Sequence, residues 1–180
     1  MLGAIEAPGL LEGGDCFWLD DSTLAVGRGF RTNAQGIDQL RVILAPVGVE
    51  VLAYDLPYGS GPEGCLHLLS VISPVDHNLA LVHAPMLPAP LHQDLVDRGW
   101  ELAVAPPEEF DASFGLNLNV LALGPRQGVM IDGFPRTRAL LEAHGCTIEV
   151  FPGDQLCMLC EGGPTCLTRP LLRASDSAPG

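Results

Sequence analysis

Apolar and polar positions along this 180-residue chain follow one order of elements three times over. Cys16–Leu19 and Thr23–Val26 read as two short strands joined by an Asp-Asp-Ser turn. Asn33 can cap a helix reaching about Ala45, where Pro46 and Gly48 end it, and Val49–Tyr54 reads as a third strand. The second unit places strands at Leu66–Ile72 and Leu79–Val82, a helix from about Pro88 to Arg98 ended by Gly99, and a strand at Trp100–Ala105. The third has strands at Val120–Leu123 and Gly128–Ile131, a helix from Pro135 to His144 ended by Gly145, and a strand at Cys146–Phe151. The segment around Cys166 reads as the start of a fourth unit that stops. The expected class is therefore α/β (α+β), built of repeated ββαβ modules.

Polar residues recur at matching places in the repeat. Asp15, His67 and Asn119 stand at or beside the first strand of their units, with 52 residues between the first two and 52 between the last two. Cys166 follows 47 residues later. In a ring of repeats, equivalent positions converge on the axis, so an acid, an imidazole, an amide and a thiol would face one central site. Repeats also put structural residues in register, but packing alone does not explain why this shared position is polar.

Composition narrows the function classes. Hydrophobic residues make up 47% and charged residues 17%, which predicts a globular chain. The net charge of −13 comes from 22 acids against nine arginines, with no lysine, so nucleic acid is not an expected partner and cationic small molecules are tolerated. The most apolar stretch, Leu66–Leu91, is interrupted by Pro74, Asp76, His77 and Asn78, which argues against a membrane span. No basic residue precedes Arg28, so no secretory or transit signal is read, and six cysteines predict reduced thiols in a cytoplasmic protein.

Candidate chemistry centres on Cys166, which two glycines precede in Glu161-Gly-Gly-Pro-Thr-Cys166. Glycines permit left-handed turns and close approach of backbone to a ligand, so the thiol is expected at a strand mouth. A thiol has an ordinary pKa near 8.5 and needs a neighbouring base or positive charge to act as a nucleophile. His67 is the candidate for that role, and a carboxylate from Glu12-Gly-Gly-Asp15 would orient its imidazole. The other reading of each is bland: a buried cysteine, a core histidine. His77, His83, His92 and His144 fall in turns or helix flanks and read as surface residues.

The motifs Leu11-Glu-Gly-Gly-Asp15, Val26-Gly-Arg-Gly-Phe-Arg-Thr-Asn33, Leu66-His-Leu68, Asn119-Val-Leu-Ala-Leu123 and Gly162-Gly-Pro-Thr-Cys-Leu-Thr168 carry a resemblance. In this order they resemble the dimethylarginine dimethylaminohydrolase and arginine deiminase branch of the guanidine-modifying amidinotransferase superfamily. The resemblance implies a five-fold β/α propeller, incomplete here at about three of five modules, as a single partial domain over residues 1–173 with a disordered tail at 174–180. It implies a cytoplasmic hydrolase of the guanidino C–N bond of arginine or a methylated arginine, giving citrulline through a covalent Cys166 thiouronium. Cys166 would be the nucleophile, His67 the proton donor and then the base, and Glu12 the acid that holds His67. Arg31 would bind the substrate carboxylate, Asp15 would line the site, and Asn119 would support it. No cofactor and no metal enters that scheme.

The family carries further modules ahead of Glu-Gly-Gly-Asp, and this chain begins eleven residues before Glu12. A ring lacking them would expose strand edges and favour association, including homo-oligomers. The expectation is thus a chain poorly active alone. The alternatives are an amidinotransferase, in which an amine replaces water, and an inactive scaffold or binding fragment. Cys157 and Cys160, with Cys146 and Cys166, also suggest a zinc or redox site, at the cost of the nucleophile.

Overall fold

The computed structural model describes residues 2–160 and 162–168. Within it the chain forms three three-stranded sheets, ordered β1-β2-β3, β4-β5-β6 and β7-β8-β9. The strands are β1 Cys16–Asp20, β2 Thr23–Arg28, β3 Glu50–Asp55, β4 Ile72–Asp76, β5 Leu79–Val82, β6 Glu101–Val104, β7 Leu121–Gly124, β8 Gln127–Ile131 and β9 Thr147–Phe151. Helices α1 Ala34–Leu44, α2 Ala89–Asp97 and α4 Pro135–Ala143 each lead into the last strand of a sheet, and α3 Pro107–Ser113 and α5 Pro164–Leu167 lie between and after the modules. In the first and third sheets a hairpin is antiparallel and the strand after the helix joins in parallel. The ββαβ repeat read from the pattern is therefore present three times. The 174–180 tail lies outside the described residues.

Local chemistry accounts for the first module. Asp20 accepts a hydrogen bond at 2.9 Å from the Ser22 N–H, closing the hairpin turn. β1 alternates buried and exposed positions as a strand with one covered face, whereas the central strand β2 is buried along almost all its length. Asn33 caps α1 by accepting from the Gly36 N–H at 2.8 Å, and Gly48 at φ 75° takes the left-handed turn that closes the 3-10 turn Ala45–Val47 after the helix.

The second module departs from the sequence reading. Its first strand is β4 at Ile72–Asp76, not Leu66–Ile72. The apolar stretch before it winds into a 3-10 turn, Leu68–Ser70, that buries Leu68 and Val71 completely. Pro74 is tolerated in β4 because this is an edge strand, where proline's missing N–H can face away from the ladder. Helix α3 was also unread, although Pro107 at its first turn with Glu108 and Glu109 behind it is a helix-start signal.

The chain divides into two compact units: residues up to 72 together with 82–101, and residues 73–81 together with those from 102 onward. The first has a core of Leu24, Val26, Ile37 and Val51. The second is built on Val75, Leu79, Leu81, Leu118, Met130 and Leu141. No helix of the described residues is long and apolar enough to cross a membrane.

Candidate functional site

In the first unit, Glu12, Asp15, Arg31 and His67 gather although 55 residues separate the first from the last. Glu12 immediately precedes the 3-10 turn Gly13–Asp15 that leads into β1, and Arg31 lies in the loop between β2 and α1. His67 precedes the 3-10 turn Leu68–Ser70, with its backbone N–H donating to Ser70 Oγ at 3.2 Å. It sits on no strand, contrary to the sequence expectation.

Glu12 is the hub of this group. Its Oε2 lies 2.6 Å from His67 Nε2, and its Oε1 accepts from Arg31 Nε at 3.0 Å and Nη2 at 2.8 Å. The hydrogen bond from the Arg31 guanidinium holds the Glu12 carboxyl below its ordinary value; partial burial opposes the shift and the His67 contact adds to it. With Nε2 committed to the carboxylate, the Nδ1 edge of the ring lies toward the exposed Cys65 thiol at 3.7 Å. A carboxylate bonded to one ring nitrogen fixes the tautomer and orients the imidazole for proton transfer.

The glycines of Glu12-Gly-Gly-Asp15 make room for this contact. A Cβ built on Gly14 would lie 2.8 Å from His67 Cγ and 3.0 Å from Nδ1, so only glycine lets the imidazole rest against that backbone. Asp15 is placed differently from the expected site-lining acid. It is 0% exposed, with Oδ2 accepting from Thr32 Oγ1 at 2.6 Å and Oδ1 accepting from the Leu68 N–H at 2.9 Å. Burial raises its carboxyl, and these two hydrogen bonds partly offset that.

In the second unit, Asn119 holds the segment that carries Cys166. Asn119 is 8% exposed; its Oδ1 accepts from Thr165 N at 2.8 Å and Thr165 Oγ1 at 2.5 Å, and its Nδ2 donates to Cys166 Sγ at 3.1 Å. Cys166 is an exposed free thiol on the short helix α5. Gly163, at φ −89°, does not adopt a left-handed backbone. Gly163 serves close packing instead, since a Cβ there would meet Asn119 Cγ at 2.3 Å.

Sequence spacing placed only two of the three repeat positions correctly. Asp20↔Thr23 and Gly124↔Gln127 are the equivalent end pairs of their hairpins, and Asp20 lies as far from Gly124 as Asp15 does from Asn119. The middle hairpin turns after Asp76 and resumes at Leu79, which makes Val71, four residues beyond His67, the structural counterpart. Thr32, Thr165 and Cys65 were missed; a hydroxyl or thiol beside a candidate residue gives no periodic signal. His83 is buried, whereas His77 and His92 are exposed. Cys157 is fully buried against Leu116 and Ile131, and no group of three or more His, Cys, Asp or Glu among the described residues is arranged to hold a metal.

The family model described as arginine deiminase matches residues 5–99. A dimethylarginine dimethylaminohydrolase of Streptomyces coelicolor is 32% identical over 164 residues, covering 89% of this chain and 54% of the relative. An uncharacterized protein of Aeropyrum pernix is 34% identical over 173 residues, covering 93% of this chain and 55% of that one. A Pseudomonas aeruginosa dimethylarginine dimethylaminohydrolase solved with citrulline superposes with a TM-score of 0.71 at 25% identity, over 90% of this chain and 56% of that one. An inosamine-phosphate amidinotransferase of Streptomyces griseus, at 19% identity and a TM-score of 0.74, shares the fold. The three ββαβ modules thus belong to the β/α-propeller class of these proteins, and the chain spans about half the length of the relatives it matches. By the match over residues 5–99 and these relatives, the chain belongs to the arginine deiminase family, in its branch with dimethylarginine dimethylaminohydrolase.

Proposed function

We propose that this protein hydrolyses the guanidino C–N bond of arginine or an N-methylated arginine, as a cysteine hydrolase without a cofactor. The observation that carries the reading is the Glu12–His67 contact at 2.6 Å, with Arg31 on the other Glu12 oxygen. It supports an imidazole oriented for proton transfer. Relatives named dimethylarginine dimethylaminohydrolase and arginine deiminase, hydrolases of linear amidines, support the substrate class.

In this reading the Cys166 thiolate attacks the guanidino carbon and a C–S bond forms. The C–N bond to the departing amine or ammonia breaks as His67 delivers a proton to that nitrogen. Water then adds to the resulting thiouronium carbon, giving its proton to His67, and the C–S bond breaks to release the ureido product and the thiolate. Glu12 orients His67 and offsets its positive charge. Asn119 steadies the sulfur through the 3.1 Å contact from Nδ2. Arg31 serves the substrate carboxylate, which its forked donors match, and exchanges Glu12 for it on binding.

The test is citrulline release from arginine and from asymmetric dimethylarginine, with the mass of the Cys166 peptide followed in parallel. The expected outcome is citrulline formation, however slow, that Cys166→Ser abolishes, with a transient amidino adduct on Cys166. Absence of both product and adduct overturns the reading. An amidino group found on added glycine or ornithine would instead assign transfer.

A further inference from the structure

An exposed ion pair positions side chains poorly, because salt and side-chain entropy erode it. The Glu12 and His67 side chains are 37% and 20% exposed, yet they meet at 2.6 Å from segments far apart in sequence. Something beneath them must set their separation. Asp15 lies there, 0% exposed, with Thr32 also at 0%. Asp15 Oδ1 receives the N–H of Leu68, the residue next to His67. Asp15 Oδ2 receives the Thr32 hydroxyl, and the Thr32 oxygen in turn receives the Glu12 N–H at 3.0 Å. Thr32 also adjoins Arg31 in the chain. One buried hydroxyl and one buried carboxylate therefore bond or adjoin the backbones that carry Glu12, Arg31 and His67.

We propose that the Asp15–Thr32 pair is a positioning device for the proposed reaction, holding Glu12 and His67 at proton-transfer distance while touching no substrate. The proposal rests on the functional reading above and changes the role assigned to Asp15 from lining the site to bracing it. Two atoms carry the link, so chemistry predicts which substitutions break it. Thr32→Val keeps the shape and removes both bonds of the hydroxyl. Thr32→Ser keeps the hydroxyl. Asp15→Asn keeps an acceptor for Leu68 but turns a donor toward Thr32, whose own proton then lacks an acceptor.

The experiment compares the wild-type chain, Thr32→Val, Thr32→Ser, Asp15→Asn and Glu12→Gln. Long-range 1H–15N spectra of the histidine rings report which His67 nitrogen carries the proton, and steady-state kinetics separate kcat from KM. Expected are a Thr32→Val His67 spectrum altered in the same direction as in Glu12→Gln, and a kcat lowered about 10- to 100-fold with KM nearly unchanged. Thr32→Ser should return both toward wild type. A wild-type His67 spectrum in a natively folded Thr32→Val overturns the proposal. Should Thr32→Val fail to fold, the same reading of Asp15→Asn decides. The ring spectra need no turnover, so loss of the hydrolase reading, seen as product formation indifferent to Cys166→Ser, leaves this test intact and separable.

Discussion

A single missing side chain governs the geometry at Glu12 and His67. The imidazole rests on the backbone of Gly14, where an added Cβ would come within 2.8 Å of the ring. Gly14→Ala must therefore push the ring away from Glu12 Oε2 or shift the 3-10 turn beneath it. Overpacking of this kind costs about 1–3 kcal/mol of stability. We expect thermal unfolding to shift downward modestly while citrulline formation falls far more, by at least about tenfold, because loss of an ångström at a reacting centre is expensive in rate. Melting and turnover measured on one preparation check this, and equal losses in both would reduce Gly14 to a packing residue. The motif Glu12-Gly-Gly-Asp15 was legible as the source of a carboxylate for His67, and the structure separates its two acids: Glu12 meets the imidazole and Asp15 is fully buried. The residue pattern by itself left open which acid meets His67, since both are acids beside glycine, and it was the family resemblance that pointed to Glu12.

At the level of elements, helix α4 begins without a capping side chain of its own. Glu109 of α3 takes that role from a distance, accepting from the Arg136 N–H at 2.9 Å, the Thr137 N–H at 2.8 Å and Thr137 Oγ1 at 2.6 Å. Burial pushes the Glu109 carboxyl up, but these hydrogen bonds outweigh it and hold the group below its ordinary value of 4.5. A depressed folded value means that the stabilisation is complete above about 4.5 and fades as pH falls through the folded pKa. Glu109→Ala should lower unfolding stability by about 1–3 kcal/mol near neutrality. Urea unfolding of both proteins at pH 7 and at pH 3 should show the gap narrowing at the lower pH; a gap constant across that range would reject the carboxylate as its source.

For the molecule as a whole, charge is the dominant long-range property. A net charge of −13 at neutral pH would draw the guanidinium substrate of the proposed reaction toward the protein. The proposed reaction should accordingly show a kcat/KM that falls as salt rises from about 10 mM to about 0.5 M, where the Debye length shrinks from about 30 Å to a few ångströms. A salt-independent kcat/KM would remove steering from the account. The sequence alone determined the order of strands and helices within each ββαβ module, because that depends on short-range rules: the Asp20 turn, the Asn33 cap, the left-handed glycines that follow α1, α2 and α4. It also supplied the family, through motifs that keep their order. Only the tertiary structure decided that β4 starts at Ile72, that His67 leads into a 3-10 turn, that α5 carries Cys166 and that Asp15 is buried with its oxygens on Thr32 and Leu68. Each of these turns on hydrogen bonds and burial between segments tens of residues apart, and periodicity along a chain carries no record of which distant segment lies across from it.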